Sequence, residues 1–506
     1  MNIQFAPITK YFKLFFNTQA AGLYVLLFAI SIAVATFIEN DFGTSAAQKV
    51  IFKAWWFELL LLLFSISIVV NIFKFRMISQ KKWSLLLFHS AIIVIFLGAG
   101  ITRYFGFEGM MHIRENTASN NFLSSNTYLK FKVKKDGETY NFNEPVLFAS
   151  LGNNNWQESY LIDGDLINVK VKAYIPNPKQ TLTSTESGLP TLKIVVAGMN
   201  GREEYFISKG QTKRIRNVIY NFKNTELTGA INIVYSKDSL RFKTNKPLTQ
   251  MVMATQKRDT IFPTHTYSLL KLRSLYSDGM NNFVFSEFNK KAKIILESES
   301  VKVKNESVTA LTMDVSVNGT VQETTVYGSR GMSGRPQMVN FDDIDIAVSY
   351  GSKDIHLPFS IHLKKFILDK YPGTNSASSY ASEVVLLDER NDTKMDFRIF
   401  MNNILNYEGY RFFQSSFDKD EKGTYLSVNN DYWGTLISYI GYALLTIGLI
   451  MVFFSKNTRF HQVLQKIKKI RAKSGTFILI LLIQLHQAQF LPKLMTIVYI
   501  KTKMLT

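Results

Sequence analysis

Trp83-Ser-Leu-Leu-Leu-Phe-His89-Ser-Ala-Ile-Ile-Val-Ile-Phe-Leu-Gly-Ala-Gly-Ile-Thr102 is the stretch that decides the fold class of this 506-residue chain. Twenty residues at about 1.5 Å each form a helix long enough to cross the ~30 Å hydrocarbon core of a bilayer. Three other runs are similarly apolar: Leu14 to Ile38, Ala54 to Phe73 and Tyr432 to Ser455. The sequence therefore predicts a multi-pass α-helical membrane protein with four transmembrane helices, at about 16–38, 54–73, 83–102 and 432–455.

The chain between the third and fourth runs has a different pattern, in which apolar and polar residues alternate over short segments. Such alternation is typical of half-buried strands. Asn318-Gly319 between two of these segments predicts a hairpin with a type I′ turn, because both residues tolerate positive φ. We therefore expect residues 103–431 to form a large, mostly β extracytoplasmic domain. The predicted strands are 128–135, 167–174, 192–196, 231–235, 301–304, 314–326 around the turn, 344–350 and 425–428.

Two stretches of this domain contain many turn-forming residues. Thr183 to Pro190 is predicted to be a turn region, and Gly328 to Pro336 is predicted to be a boundary between two lobes.

The positions of Lys and Arg predict the orientation in the membrane, since cytoplasmic loops carry an excess of both. Basic residues precede the first apolar run, join the second run to the third, and follow the fourth. These segments should be cytoplasmic, including a basic tail over 456–506, and residues 103–431 should lie on the outer side of the membrane. The basic residues are Lys10, Lys13, Lys74, Arg76, Lys81, Lys82, Lys456, Arg459, Lys466, Lys468, Lys469, Arg471 and Lys473.

The formal net charge of +20 is largely explained by these clusters. No helix-turn-helix, zinc-finger or aromatic RNA-binding motif accompanies the charge, so we expect no nucleic-acid partner. Anionic membrane lipids are the predicted partners of the basic segments.

The chain contains no cysteine, which excludes disulfides, thiolate metal sites and thiol redox chemistry of its own. It also contains no nucleophile elbow, Walker loop, HExxH helix or EF-hand loop. A self-contained hydrolase or nucleotide enzyme is therefore not indicated.

His89 is the main candidate site residue because an ionisable side chain within a membrane span is costly and usually functional. It lies six residues from the start of its span, about 9 Å deep. A neutral imidazole there either donates a hydrogen bond to a neighbouring helix or binds a metal or heme iron. The residues alone leave both interpretations open.

Several other polar or small residues are weaker candidates. Glu58 is expected either to snorkel or to be hydrogen-bonded at the membrane interface, with a proton-handling role as a weaker alternative. His112, His356 and His362 are expected to have surface or loop roles, with Pro358 interrupting the strand between the last two. Gly434, Gly441 and Gly448 are seven residues apart and predict a close helix-packing surface.

Several motifs, in this order along the chain, resemble the ResB/CcsB component of the system II cytochrome c maturation machinery. The resemblance covers about residues 10–460 and follows the layout of three spans, a domain and one span. The motifs are Ala35-Thr-Phe-Ile-Glu-Asn-Asp-Phe-Gly-Thr44, Ala54-Trp-Trp-Phe-Glu-Leu59, Gly98-Ala-Gly-Ile-Thr-Arg-Tyr-Phe-Gly106, Gly109-Met-Met-His-Ile-Arg-Glu115, His356-Leu-Pro-Phe-Ser-Ile-His-Leu-Lys-Lys365, Asn406-Tyr-Glu-Gly-Tyr-Arg-Phe-Phe-Gln-Ser-Ser416 and Gly423-Thr-Tyr-Leu-Ser-Val-Asn429.

The resemblance implies a subunit in the bacterial inner membrane that binds heme b and helps deliver it to the outer face for attachment to apocytochrome c. It implies that His89 is an axial ligand of the heme iron. The implied partners are a CcsA/CcsC-type heme-handling protein, apocytochrome c and a thioredoxin-like thiol reductant. The chain alone would be non-catalytic and would be one component of a holocytochrome c synthase. It would either work with a separately encoded partner or correspond to the N-terminal half of a CcsBA-type fusion. Residues 456–506 are then either a basic tail or the truncated start of a CcsA-like half.

A different class of function remains as the alternative. Four helices could anchor a β domain that serves as a scaffold for assembly of other envelope proteins, with His89 only hydrogen-bonded and no heme bound.

Overall fold

The computed structural model of the chain describes residues 15–198, 201–303, 307–455 and 461–467. It contains four helices that are long and apolar enough to cross a membrane: α1 (Thr18–Ala47), α2 (Trp55–Lys74), α3 (Trp83–Phe105) and α4 (Tyr432–Phe454). The β strands described below lie between α3 and α4. The predicted fold class, four membrane helices with a mostly β domain between the third and fourth, is confirmed.

Parts of the basic segments used to predict orientation lie outside the described residues. These are Lys10, Lys13, residues 456–460 and residues 468–506.

Helix α1 continues well past the predicted end near residue 38. It runs to Ala47 and is followed by a short π-helix, Gln48–Phe52. Gly43 interrupts the helical geometry with φ 79° and ψ 166°, a conformation that costs glycine little because it has no Cβ. The polar residues after Ile38 therefore form a bent helical extension rather than a loop.

The strands of the domain are numbered β1 to β25 in chain order. They are Phe107–Arg114, Ala118–Lys135, Glu138–Val146, Gln157–Ile162, Asp165–Pro176, Pro178–Gly198, Gly201–Ser208, Thr212–Ile215, Val218–Asn221, Ile231–Ser236, Ser239–Lys243, Leu248–Val252, Arg258–Ile261, Ser268–Leu269, Ser274–Ser277, Asn282–Ser298, Thr309–Val317, Thr320–Gly328, Gln337–Asn340, Ile344–Lys370, Ala377–Asp388, Thr393–Phe400, Leu405–Tyr407, Tyr410–Phe417 and Gly423–Asn430.

The chain divides into two compact units. The first unit comprises Met1–Val171 and Asp314–Thr506 and contains the four helices and a ten-stranded sheet with the central order β22-β21-β20-β2-β1-β25-β24-β23. Its core includes Met111, Phe122, Ile361 and Phe412, all nearly inaccessible to solvent.

The second unit is Lys172–Met313. It contains a six-stranded sheet, β13-β12-β15-β16-β6-β7, and a five-stranded sheet, β14-β11-β10-β9-β8. Its core contains a cluster of aromatic rings, in which Tyr220, Phe242, Tyr276 and Phe285 pack edge to face or tilted. Such packing supplies a large buried apolar area without disulfides.

Several sequence predictions can be compared with these strands. The Asn318-Gly319 turn is confirmed, since both residues have positive φ, 49° and 88°, between β17 and β18. The predicted strand 301–304 is wrong over 301–303, because β16 ends at Ser298. The predicted turn region 183–190 is also wrong, since it lies inside β6, where the backbone pairs with β16.

Gly328–Pro336 does not separate the two units, which divide elsewhere along the chain. This loop folds back on β20, and the absence of a side chain at Gly334 allows the two backbones to approach closely. A Cβ at Gly334 would lie 2.0 Å from the carbonyl oxygen of Tyr350, so only glycine permits this close approach.

The predicted glycine packing surface is confirmed. Gly434, Gly441 and Gly448 are the buried residues of α4 and lie against α3. A Cβ at Gly441 would lie 2.7 Å from Cγ1 of Ile95, and one at Gly448 would lie 2.9 Å from the backbone nitrogen of Phe88. The two helices therefore approach each other closely along their length.

Candidate functional site

His89 lies on the side of α3 that faces the other N-terminal helices. Leu85, Ile92 and Phe96 pack on the apolar cluster that α1 and α2 form. At about 100° per residue, His89 falls within the same stripe of α3. The glycine surface of α4 meets a different stripe, which contains Phe88, Ala91 and Ile95. The half-buried imidazole is therefore directed towards the three-helix cluster rather than towards α4.

The backbone of α3 fixes the orientation and tautomer of this imidazole. Nδ1 of His89 lies 2.7 Å from the carbonyl oxygen of Leu85, one turn earlier. A carbonyl only accepts, so Nδ1 carries the proton and donates it, and Nε2 keeps its lone pair. A histidine that ligates a metal usually donates its other ring nitrogen in this way, which orients the ring and raises its basicity. The observed arrangement fits a ligand that binds iron through Nε2.

A layer of buried polar groups lies at the same depth as His89. The rings of Phe64 on α2 and Phe96 on α3 are in contact, with centroids 5.5 Å apart. Asn71 lies seven residues after Phe64 on α2, and His89 lies seven residues before Phe96 on α3. Both are therefore about 10 Å closer to the α2–α3 connection than the two rings. Because the two helices are antiparallel neighbours, Asn71 and His89 share one level of the bundle.

Asn71 links α2 to α1 within this layer. It is only 5% exposed, its Nδ2 donates to the carbonyl oxygen of Ser67 at 2.9 Å, and its Oδ1 accepts from the hydroxyl of Thr18 at 3.5 Å. The hydroxyl oxygen of Ser67 is fully buried and has no hydrogen-bond partner among the residues that the structure describes. A buried polar atom without a hydrogen bond destabilises the folded protein. This layer therefore fits a binding site for a ligand that carries polar groups.

The sequence interpretation missed Asn71 and Ser67, because it searched the apolar spans for charged residues. The available signal was an uncharged amide, Asn71, within the mostly apolar second span.

Glu58 is hydrogen-bonded near the domain-side end of α2, as predicted. Its carboxylate contacts the Arg103 guanidinium and accepts from the hydroxyl of Tyr104 at 3.3 Å. This places a salt bridge between α2 and the end of α3.

The remaining candidate histidines lie on the domain sheet. His112 Nε2 lies 2.9 Å from a carboxylate oxygen of Asp418, and its ring stacks on Tyr425 at 4.4 Å. His356 and His362 both lie in β20, which runs without a break through Pro358, so the predicted interruption is wrong. Proline is tolerated there because the pairing of β20 with β2 shifts register between His356 and Ile361, where no ladder donor is needed.

No group of three or more His, Asp or Glu side chains that could hold a metal ion occurs among the residues that the structure describes. A metal centre built entirely from this part of the chain is therefore not indicated. His89 would contribute a single ligand, as suits an iron held mainly by a porphyrin.

Comparison with known proteins follows the same division of the chain. The ResB-like family model matches residues 79–151 and 325–431. Both segments belong to the first unit, and the second unit lies between them. The resemblance to the ResB/CcsB family is confirmed. The first matched segment includes His89 and the whole of α3, so the ResB-like region contains the candidate site.

Protein NrfI of Wolinella succinogenes is 28% identical to this chain over 458 residues. That alignment covers 90% of this chain and 37% of NrfI. The chain thus spans little more than a third of the length of this relative.

Proposed function

We propose that this ResB-like chain is a membrane subunit of system II cytochrome c biogenesis that binds heme b through His89 and helps deliver it for covalent attachment to apocytochrome c. The ResB-like sequence and the similarity to NrfI support a role in cytochrome c biogenesis. The observation that carries the heme-binding step is the His89 geometry, in which Nδ1 donates to Leu85 and Nε2 is left as a ligand.

The residues around His89 suggest what each would do for the heme. Leu85 would hold the imidazole in the ligating tautomer, and the apolar cluster of α1 to α3 would pack on the porphyrin and exclude water. Asn71 and Ser67 would offer hydrogen bonds at the same depth. The heme, when bound, supplies the iron that His89 ligates and the vinyl groups that are attached to apocytochrome c.

The proposed partners are those that the resemblance to the ResB/CcsB family implies. A CcsA/CcsC-type protein would supply the opposite axial ligand, and a thioredoxin-like protein would reduce the apocytochrome thiols, because this chain has no cysteine. The chain would be non-catalytic alone. It would reside in the bacterial inner membrane, with residues 103–431 on the periplasmic side.

The visible spectrum of the purified protein tests this proposal. Wild-type protein, co-expressed with its partner, should show a Soret band, and His89→Ala should lose most of that band because the iron loses its protein ligand. Added imidazole should restore the band in His89→Ala, since it can occupy the vacated position. His356→Ala is the matched control, an exposed histidine on β20 whose removal should leave the spectrum unchanged.

Equal heme content in wild type and His89→Ala would show that His89 does not ligate heme. A complete absence of heme from the wild-type complex would favour the alternative, a membrane-anchored scaffold for other envelope proteins.

A further inference from the structure

The second unit contains a cleft at the edge of its five-stranded sheet. Three segments of chain, residues 226–230, 243–245 and 263–265, line it together with Asn232, and its volume is about 450 Å³. Pockets of this size hold small ligands or short parts of larger ones. The ResB-like family model does not match residues 152–324, so the cleft lies outside the segments that carry the family resemblance.

Two buried asparagines hold the 226–230 wall in place. Nδ2 of Asn221 donates to Oδ1 of Asn232 at 2.7 Å and to the carbonyl oxygen of Thr225 at 2.8 Å. The backbone N–H of Leu227 donates to the same Oδ1 at 2.8 Å, and Nδ2 of Asn232 donates back to the carbonyl oxygen of Leu227 at 3.0 Å. The cleft is therefore preformed by the fold.

The carboxylate in this wall is already paired. Oε2 of Glu226 lies 2.8 Å from the ammonium of Lys243, and the hydroxyl of Tyr267 also donates to the carboxylate. These two interactions, led by that of Lys243, lower the pKa of Glu226. Glu226 and Lys243 thus neutralise each other, and the unpaired charges nearby decide which ligand the cleft attracts.

Two cations beside the cleft are unpaired. Arg241 lies two residues before Lys243 on β11, so alternation places it on the same outer face of the sheet, and Lys223 lies three residues before the 226–230 wall. Both are exposed, and neither side chain has a hydrogen bond or an ion pair within the described parts of the chain.

The second unit as a whole is strongly basic. Its sequence contains 22 Lys and Arg against 11 Asp and Glu, which gives a formal net charge of +11. A field of this sign attracts acidic ligands and repels basic ones.

Exposed apolar side chains lie around the same cleft. Leu227 in the first wall is 42% exposed, and Phe262, directly before the 263–265 wall, is 65% exposed. Leu269, which pairs with Arg241 across β14 and β11, is 55% exposed. Exposed apolar groups that cluster among polar ones mark interaction sites, so the ligand should be partly apolar as well as acidic.

The cleft also offers main-chain groups to a ligand. β14 pairs with β11 over two residues only, so the edge of β11 beyond Phe242 is uncovered on that side. The backbone N–H groups of Gly229, Asn245 and His265 have no hydrogen-bond partner among the residues that the structure describes. An open sheet edge with unpaired main-chain groups can accept an extended peptide as an additional strand.

We propose that this cleft binds an extended, acidic segment of another polypeptide that also carries apolar side chains. Main-chain hydrogen bonds at the edge of β11 would hold the segment. Arg241 and Lys223 would attract its carboxylates, and Leu227 and Phe262 would pack on its apolar side chains. The site lies within the second unit and does not depend on heme binding by His89.

Fluorescence anisotropy with the full-length protein in a neutral detergent tests this proposal. The probe is a fluorescein-labelled decapeptide of glutamate, leucine and serine, and a second probe has lysine in place of every glutamate. The acidic probe should bind the wild type, and the basic probe should not. Raising the ionic strength should weaken binding of the acidic probe, because exposed charges are screened.

Two variants change the cleft itself. Thr264→Trp fills it with a bulky side chain and should reduce the affinity for the acidic probe by roughly tenfold or more. Lys223→Gln/Arg241→Gln removes both unpaired cations and should reduce the affinity by roughly fivefold, since each exposed ion pair contributes modestly.

Two control variants make the same kinds of change elsewhere. Thr255→Trp places a tryptophan at an exposed position outside the cleft, and Lys132→Gln/Arg398→Gln removes two cations from exposed positions of the first unit. Both should bind the acidic probe like the wild type. The visible spectrum of Thr264→Trp should match that of the wild type, so a loss of peptide binding and a loss of heme are separate results.

No binding of the acidic probe by the wild type, equal binding of both probes, or wild-type affinity in Thr264→Trp would overturn the proposal. Equal losses in Lys223→Gln/Arg241→Gln and Lys132→Gln/Arg398→Gln would also overturn it, because the general positive charge would then attract the probe without the cleft. If Thr264→Trp melts below the wild type, the comparison of these two charge variants decides the question.

Discussion

Asp388, at the end of β21, carries a buried carboxylate whose charge is balanced by hydrogen bonds. Arg390 donates to it from Nε at 3.0 Å and from Nη2 at 2.7 Å, and the hydroxyl of Tyr407 donates at 2.9 Å. These interactions, led by that of Arg390, lower the pKa of Asp388 to about 2. The ionised carboxylate thus joins β21 to β23 in the folded state.

The acid sensitivity of the domain should depend on this carboxylate. A carboxyl group whose pKa is lowered by folding stabilises the protein fully above its unfolded pKa, near 4, and the stabilisation is lost as the pH falls through about 2. Asp388→Asn should therefore lower the melting temperature by several degrees at pH 7 and should flatten its dependence on pH between about 4 and 2. Circular dichroism melts at several pH values measure both effects.

Asp396→Asn provides the control for this prediction. Asp396 forms an exposed ion pair with Lys364, and such pairs contribute little to stability. An equal loss of stability in both variants would mean that burial of Asp388 is not the reason for its effect.

Sequence reasoning singled out individual residues only where their type was unusual for the position. An imidazole in an apolar span drew attention to His89, whereas Asn71 and Ser67 are common enough in membrane helices to be overlooked. Asp388 and Arg390 are ordinary residues of a strand end, and only the fold brings Tyr407 to them. Contacts made by residues that are distant in sequence or unremarkable in type needed the structure.

The contact between α3 and α4 offers a test at the scale of one element. A Cβ at Gly98 would lie 2.8 Å from the backbone nitrogen of Ser438 and 3.0 Å from the carbonyl oxygen of Gly434, whereas one at Gly100 would have no neighbour within 4 Å. Gly98→Ala should therefore destabilise the protein by about 1–3 kcal/mol, as overpacking does. Gly100→Ala, two residues away on the same helix, should be neutral or slightly stabilising. Thermal unfolding in detergent compares the two, and a Gly100→Ala variant as unstable as Gly98→Ala would contradict the close helix contact.

The periodicity of the sequence predicts some helices and strands of this protein correctly and fails for others. The seven-residue spacing of glycines in α4 predicted its packing face, because helix geometry alone brings those residues to one side. The end of α1 was missed because its extension after Ile38 is polar and contains Gly43, both of which indicate a loop. Thr183 to Pro190 was missed because its partner, β16, is a hundred residues away, and strand pairing overrode the local turn preference.

The arrangement of the whole molecule across the membrane can be tested directly, because the chain contains no cysteine. A single cysteine introduced at Gln80 or Ser300, both exposed positions, would be the only target for a maleimide. Ser300→Cys should be labelled by a membrane-impermeant maleimide when the outer face of the membrane is accessible. Gln80→Cys, within the basic α2–α3 connection, should be labelled only after the membrane is permeabilised. The reverse pattern would invert the proposed orientation.

Long apolar runs and short alternating segments were sufficient to predict the order of membrane helices and β domain along the chain. A membrane helix and a half-buried strand differ in length and in the period of their apolar residues. They did not reveal that Lys172–Met313 forms a unit of its own. Its strands show the same alternation of apolar and polar residues as the strands of the first unit. The division into two units depends on which strands pair, and the alternation does not reveal this.

The point where the second unit joins the first has a consequence for how such chains can vary. The order β18-β17-β5-β4 makes β5 and β17 neighbours in one sheet, and the N–H of Asn318 donates to the carbonyl oxygen of Leu166 at 3.0 Å. The chain leaves the first unit at Val171 and returns at Asp314, so its two crossing points belong to adjacent strands, whose usual spacing is about 4.8 Å. An inserted segment of almost any length can therefore connect β5 to β17, provided that its two ends lie that close together. Related chains can therefore gain, lose or exchange more than a hundred residues there while their membrane helices stay as they are.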